Sequence, residues 1–421
     1  MIVGRVQYNI LKNCIVSASV LFAAIGCAGG NVNDDGGAGT PGVGGAFSSG
    51  GSFSNGGSES PDPSPSAGTS TGSGGRTTTP GGKGGSGPGA AGSGSGPSRG
   101  GSGPAGGGSS AGAGNAPAAG GRLDIGGDGP QFVGNITTGF MNGMDQGSRK
   151  FATYWDQVTP ENAGKWGSVQ SNASAAFNWT ALDAIYDYAE KNKILFKQHT
   201  FVWGSQQPGG TINPEAVQKW MTEFCKRYPN TKLIDVVNEP PPHTRPSYDG
   251  NIGGGTNGDW KWIANSFTWA RAACPNSILL LNDFNNIEWQ NDNNHFIDIV
   301  KKIQALGAPI DAIGAQAHDL DNGQVSLATV TKLLGNLNTQ TGLPVYITEM
   351  DIDTTDDARQ LSLYQQYFPL FMKTTYVKGI TIWGWIFGQT WSSAPNSGLI
   401  RNGNPRPAMN YLMEQLGRPA P

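Results

Sequence analysis

From Arg122 onward, short apolar runs alternate with longer stretches in which large apolar residues recur every three or four positions. Runs rich in β-branched and aromatic residues cover 132–138, 195–203, 233–237, 278–282, 312–317, 345–348 and 380–383, with a weaker one at 157–161. Their length and composition suit strands buried on both faces. The stretches between them read as helices. The clearest starts at Asn213-Pro214-Glu215, a capping residue, a proline in the first turn and an acid near the helix N-terminus. It carries Val217, Trp220, Met221, Phe224 and Tyr228 on one face. Another carries Phe296, Ile299, Val300, Ile303 and Leu306 and is predicted to stop at Gly307.

Strands joined by helical crossovers form either an open doubly wound sheet or a closed barrel. No Gly-x-Gly-x-x-Gly follows the first run, which argues against the nucleotide-binding open sheet. Polar residues stand at the C-terminal end of nearly every run, where a barrel gathers its catalytic groups. The expected fold class is therefore α/β, a (β/α)8 TIM barrel occupying residues 122–421.

Upstream the pattern disappears. Residues 28–121 are Gly, Ser, Ala, Pro and Thr with almost no large apolar side chain. Such a stretch cannot offset the entropy of ordering its backbone, so a disordered linker is expected. All 12 tryptophans lie between Trp155 and Trp391, which leaves one folded unit behind a tether. Further upstream, Arg5 and Lys12 precede an apolar run over 15–25 that meets Gly26-Cys27. That run is too short to span a membrane and suits a signal peptide over residues 1–27. The small residues before Cys27 resemble a bacterial lipobox, although Ala24 stands where leucine is usual. The resemblance implies lipidation of Cys27 and a cell-surface or outer-membrane lipoprotein, with plain secretion as the alternative. Membrane contact is expected only through that anchor. The net charge of −3 offers no basic footprint for nucleic acid. Cys225 and Cys274 could pair in an oxidising compartment or remain two buried thiols, and the sequence leaves both open.

The strand ends carry the chemistry. They supply Glu161, Asn162 and Lys165, then His199 and Trp203, then Asn238-Glu239-Pro240, then Asn282-Asp283-Phe284-Asn285. Gln316 and His318 follow, then Glu349 and Asp351, then Trp383 with Trp391 in its loop. Glu239 and Glu349 each close an apolar run, so both acids should face the barrel mouth on rigid supports. Glycoside cleavage needs such a pair, one carboxyl to protonate the leaving oxygen and one carboxylate to meet the oxocarbenium-like centre. The bland alternative is a pair of structural ion-pair partners. Two strand-end histidines, His199 and His318, also raise metal catalysis. That needs three ligands and an open position, and His243 and His295 fall in a loop and a helix-like stretch. Neither a metal nor another cofactor is expected.

Asp235-Val-Val-Asn238-Glu239-Pro and Ile347-Thr-Glu349-Met-Asp351-Ile resemble the acid/base and nucleophile motifs of glycoside hydrolase family 10, the endo-β-1,4-xylanases. The likeness extends to Pro160-Glu161-Asn162-Ala-Gly-Lys165-Trp166, His199-Thr-Phe-Val-Trp203-Gly-Ser-Gln206, Asn282-Asp-Phe-Asn285 and Gly314-Ala-Gln316-Ala-His318. It continues through Ile382-Trp383-Gly384, Thr390-Trp391, Gly398-Leu399-Ile400 and Arg406-Pro407-Ala408, in order along the chain. The resemblance implies a retaining endo-β-1,4-xylanase with Glu239 as acid/base and Glu349 as nucleophile. It also implies Asn238 on a sugar 2-hydroxyl, His318 orienting Glu349, and Gln316 lining the same pocket. Glu161, Asn162, Lys165, His199 and Gln206 would hold sugars, with Trp203, Trp383 and Trp391 offering flat faces. Xylan, arabinoxylan and xylo-oligosaccharides are the expected partners, and a monomer the expected state. A retaining endo-β-1,4-glucanase and a non-catalytic xylan-binding protein are the rival readings.

Three stretches depart from the family pattern. Gly204 replaces a frequent histidine, Gln207-Pro208-Gly209-Gly210 lacks a tryptophan, and the loop 384–389 lacks an acid. They bear on the outer sugar subsites rather than on the two glutamates.

Overall fold

Eight parallel strands close on themselves in chain order, with β1 paired to β8 through Val133 and Ile380. They are β1 (Val133–Ile136), β2 (Gln157–Thr159), β3 (Leu195–Val202), β4 (Leu233–Asn238), β5 (Ile278–Asp283), β6 (Ala312–Ala315), β7 (Val345–Met350) and β8 (Val377–Ile382). This computed structural model describes residues 127–137, 144–254 and 258–421. The expected signal peptide, the lipidation site Cys27 and the linker lie outside the described residues. Every residue of the eight strands is buried. Burial on both faces is why their sequences read as runs rather than alternations.

The strands differ from the expected runs by up to three residues at their ends, and two of these shifts have a visible cause. β8 begins three residues early, because Lys378 interrupts the apolar pattern while its ammonium turns away to the carbonyls of Gly127 and Thr375. β6 stops two residues short of 317, where Ala317 enters the left-handed region at φ 64°.

The main helices are α1 (Thr180–Asn192), α2 (Pro214–Arg227), α3 (Lys261–Ala273), α4 (Gln290–Ala305), α5 (Leu327–Thr341), α6 (Asp357–Lys373) and α7 (Pro407–Gln415). α2 starts as its sequence predicts, with the Asn213 side chain accepting from the Ala216 N–H at 2.9 Å. α4 corrects one expectation. Leu306 is not on the buried stripe but caps the helix, 46% exposed, before Gly307 turns the chain at φ 77°.

Inside the barrel the side chains change character along the axis. Phe132, Leu195, Leu233, Ile278, Leu280, Ala312 and Tyr346 form an apolar plug, with Phe132 and Tyr346 stacked at 6.0 Å. Two residues further along β3 and β4 come Lys197 and Asp235, then His199, all buried. The period of two keeps each series on the inner face. The polar layer therefore rests on a rigid apolar floor and opens at the strands' C-terminal ends.

On the outside, Cys225 of α2 is bonded to Cys274 at the end of α3, with Cα atoms 5.6 Å apart and a sequence separation of 49. Cross-linking a loop of that length restricts the unfolded chain and contributes about 2–4 kcal/mol. For a domain of this size, the double variant Cys225→Ala/Cys274→Ala should melt about 5 °C lower by calorimetry. Unchanged melting would mean that the bond contributes nothing to stability.

Candidate active site

β4 delivers Glu239 into an unusual backbone position. Its φ is +49°, a region that costs a non-glycine residue of the order of 1 kcal/mol or more. The backbone is held there by its N–H donating to the Asn282 carbonyl at 2.8 Å and its carbonyl accepting from the Thr244 N–H at 3.0 Å. The carboxylate is surrounded by donors. Oε2 accepts from the Trp203 indole at 2.9 Å and the Thr244 hydroxyl at 2.7 Å. Oε1 accepts from Asn238 at 3.2 Å and Gln316 at 3.4 Å.

β7 carries Glu349, 4% exposed. Asn282 from β5 donates to its Oε1 at 2.7 Å and to the Asn238 side-chain oxygen at 2.8 Å. Gln316 donates to that same Asn238 oxygen at 3.1 Å. A continuous amide bridge therefore joins the two glutamates across the mouth. Asn282 is fixed in turn by accepting from the Thr348 hydroxyl at 2.6 Å. It also needs a glycine opposite, since a Cβ on Gly314 would sit 2.2 Å from its oxygen.

His318 lies between two carboxylates, with Nδ1 2.9 Å from Asp351 Oδ1 and Nε2 3.4 Å from Glu349 Oε2. Burial alone would pull its pKa down, but Asp351 and then Glu349 raise it well above the usual histidine range. Trp391 packs on the His318 ring at 4.7 Å and donates its indole N–H to Asp351 Oδ2 at 2.9 Å. Asp351 thus supports the histidine rather than facing the mouth as a third acid. On the other side, His199 Nδ1 donates to Asp235 Oδ2 at 2.9 Å and lies 3.8 Å from Glu349 Oε1. The same Asp235 oxygen accepts from Lys197 Nζ at 2.6 Å. Burial by itself pushes the Glu349 carboxyl up, yet His199, His318 and Lys197 together hold it at about 2. Glu349 is thus ionised throughout the neutral range, as a nucleophile requires.

The β2 loop supplies Glu161, Asn162 and Lys165. Lys165 donates to the Asn162 side-chain oxygen at 3.1 Å and stands 4.8 Å over the Trp203 ring. Gln206 donates to the same Asn162 oxygen at 3.3 Å. Glu161 is buried, and this raises its pKa to about 7 despite Lys165 and Asn162. The folded state therefore binds this proton more tightly than the unfolded chain. Its charge penalty vanishes below about pH 4.5 and grows as pH rises through 7. Glu161→Gln should accordingly stabilise the fold at pH 8, by on the order of 2 kcal/mol, and have little effect at pH 4.5. Thermal melts at the two pH values check this; an equal effect at both would remove burial as the cause.

The thirteen candidate residues of the sequence reading thus fall at one end of the barrel. One differs in detail. Trp383 is only 2% exposed, its ring met edge-on by His199 at 5.3 Å and by His318 at 6.5 Å. It has much less surface to offer a sugar than a flat platform would. Lys197, Asp235, Thr244 and Thr348 were not foreseen as contributors. Charged residues within the otherwise apolar runs of β3 and β4 were the available signal for the first two. Nothing in the sequence pointed to Thr244.

His199, Asp235 and Glu349 bring ligand-type atoms within 4.8 Å of one another. This donor set suits a metal poorly. Asp235 Oδ2 already serves both Lys197 and His199, so a cation bound through that oxygen would have to displace a buried ammonium.

Residues 125–415 match glycosyl hydrolase family 10. The chain is 45% identical over 290 residues to endo-1,4-beta-xylanase B of Cellvibrio japonicus, an alignment covering 67% of this chain and 45% of that protein. It is 31% identical over 277 residues to endo-1,4-beta-xylanase 3 of Hypocrea jecorina, covering 61% and 74% of the two chains. Among solved structures, native xylanase 10B of Thermotoga maritima superposes with a TM-score of 0.58 at 23% identity, covering 68% of this chain and 94% of that one. The chain thus spans less than half the length of its Cellvibrio relative.

Proposed function

Because this chain belongs to glycosyl hydrolase family 10, we propose that it is an endo-β-1,4-xylanase that cleaves internal bonds of xylan with retention of configuration. The observation that carries this reading is the amide bridge through Asn238, Asn282 and Gln316, which joins Glu239 and Glu349 across one mouth. Glu349, ionised and flanked by His318, attacks the anomeric carbon. Glu239 gives its proton to the departing glycosidic oxygen, and the C–O bond to the leaving sugar breaks. In the second step Glu239 takes a proton from water as that water displaces Glu349, which restores both groups. Asn238, fixed by Asn282 and Gln316, faces the sugar's 2-hydroxyl, where a hydrogen bond strengthens as the transition state forms.

Xylan, arabinoxylan and xylo-oligosaccharides are the proposed substrates, taken by a monomer. The proposed location is the cell surface, after export by residues 1–27 and attachment through Cys27. The apolar run 15–25 and the small residues before Cys27 support that placement. Proton NMR of the first xylan products should show the β-anomer before mutarotation; early α-anomer would replace retention by inversion. A panel of xylan, mixed-linkage glucan and cellulose tests the substrate, and preference for either glucan would overturn the xylanase reading.

A further inference from the structure

The loop after β4 places a hydroxyl on Glu239 that the proposed mechanism above does not use. Thr244 is half-buried, five residues beyond the glutamate, and its Oγ1 donates to Oε2 at 2.7 Å. The loop is pinned on several sides. His243 lies flat on Phe284 at 3.8 Å and bonds Asp283 at 2.7 Å, while His295 Nε2 donates to the Pro241 carbonyl at 2.9 Å. On the β3 side the loop passes directly against Gly204. A Cβ there would lie 2.4 Å from the Arg245 carbonyl oxygen and 2.6 Å from that of Thr244. The glycine at 204, one of the three departures noted in the sequence, thus makes room for the chain that delivers Thr244.

We infer that Thr244 is a positioning residue for the acid/base, and that it accommodates both protonation states of Glu239. The reason is chemical. The other three groups on the carboxyl, the Trp203 indole and the Asn238 and Gln316 amides, present only N–H donors to it. A hydroxyl both donates and accepts. When Glu239 is ionised, Thr244 donates to Oε2. When Oε2 carries the proton, the hydroxyl rotates and accepts it, while Trp203 keeps its bond to the remaining lone pair. The proton then passes to the glycosidic oxygen, and Thr244 returns to donating.

The inference rests on Glu239 being the acid/base, so its test must separate the two. Thr244→Val keeps the shape and removes the hydroxyl. Losing a charge-assisted donor costs the ionised form more than losing a neutral acceptor costs the protonated one. The alkaline limb of kcat/KM on xylan should therefore move up by about 0.5–1 pH unit. The other groups facing Glu239 are unchanged: Lys165 after β2, Trp203 after β3, Asp283 on β5 with its partner His243, Gln316 after β6, and Glu349 on β7 through Asn282. With dinitrophenyl xylobioside, whose leaving group needs no proton, kcat/KM should stay within about twofold of wild type. Thr244→Ser should restore the xylan profile, and Gly204→Ala, by pushing the loop away, should reproduce the shift. A Thr244→Val profile that superimposes on wild type would overturn the inference, as would an equal shift in Thr244→Ser. Equal losses on both substrates would reduce Thr244 to a structural part. If Glu239→Ala itself hydrolyses xylan normally, the acid/base assignment fails instead.

Discussion

Glu349→Gln is expected to lower kcat on xylan by roughly four to six orders of magnitude, the scale seen when a covalent nucleophile is removed. The amide is almost isosteric with the carboxylate, so packing around this buried position is preserved. What changes is charge. The amide cannot attack the anomeric carbon, and His318 loses one of its two carboxylates while keeping Asp351 at 2.9 Å. A cooperative melting transition should therefore survive. Trapping wild-type enzyme with a 2-fluoro xylobioside and mapping the modified peptide by mass spectrometry supplies an independent readout. A Gln variant with wild-type turnover, or label on another residue, removes Glu349 from the mechanism.

Glu239→Ala should behave differently with different leaving groups. On xylan the loss should reach about 10²–10⁴-fold, the usual contribution of general acid and base catalysis. With a dinitrophenyl glycoside the first step needs no proton, so glycosylation proceeds while deglycosylation, now without its base, becomes limiting. Both kcat and KM should fall together as the glycosyl-enzyme accumulates. Azide, small and needing no base, should enter the space vacated by the side chain, restore turnover and yield the β-glycosyl azide. Identical losses on both substrates, with no azide rescue, would assign the proton transfer to another group.

The two variants divide the site as the structure divides it. Glu349 stands beside Lys197, His199 and His318, which hold it ionised at about pKa 2. The hydrogen bonds to Glu239 come from neutral groups, three N–H donors and one hydroxyl. Two like residues on neighbouring parts of one mouth are given different work by their surroundings. The Lys197–Asp235 pair is part of that difference. It is wholly buried, and such a pair is weak evidence for stability. Its use is to fix His199 and set the potential at Glu349.

The chain by itself determined the class of fold and the chemical type of the site. Alternating buried runs and helical stripes are local properties, and so is the cap at Asn213. Carboxylates, amides and indoles at successive strand ends could be placed at one mouth from topology alone, because all parallel barrel strands point the same way. Tertiary structure decided which of these groups touch. That Asn282 reaches both Asn238 and Glu349, that Trp383 is covered, and that Thr244 rather than a more distant residue meets Glu239 all depend on contacts across different strands and loops. Such distances follow from barrel closure, from a glycine at 204 and from one left-handed residue at 239. Hydrogen bonds act over about 3 Å, whereas sequence pattern specifies only a face and a layer, and that gap is where the structure was needed.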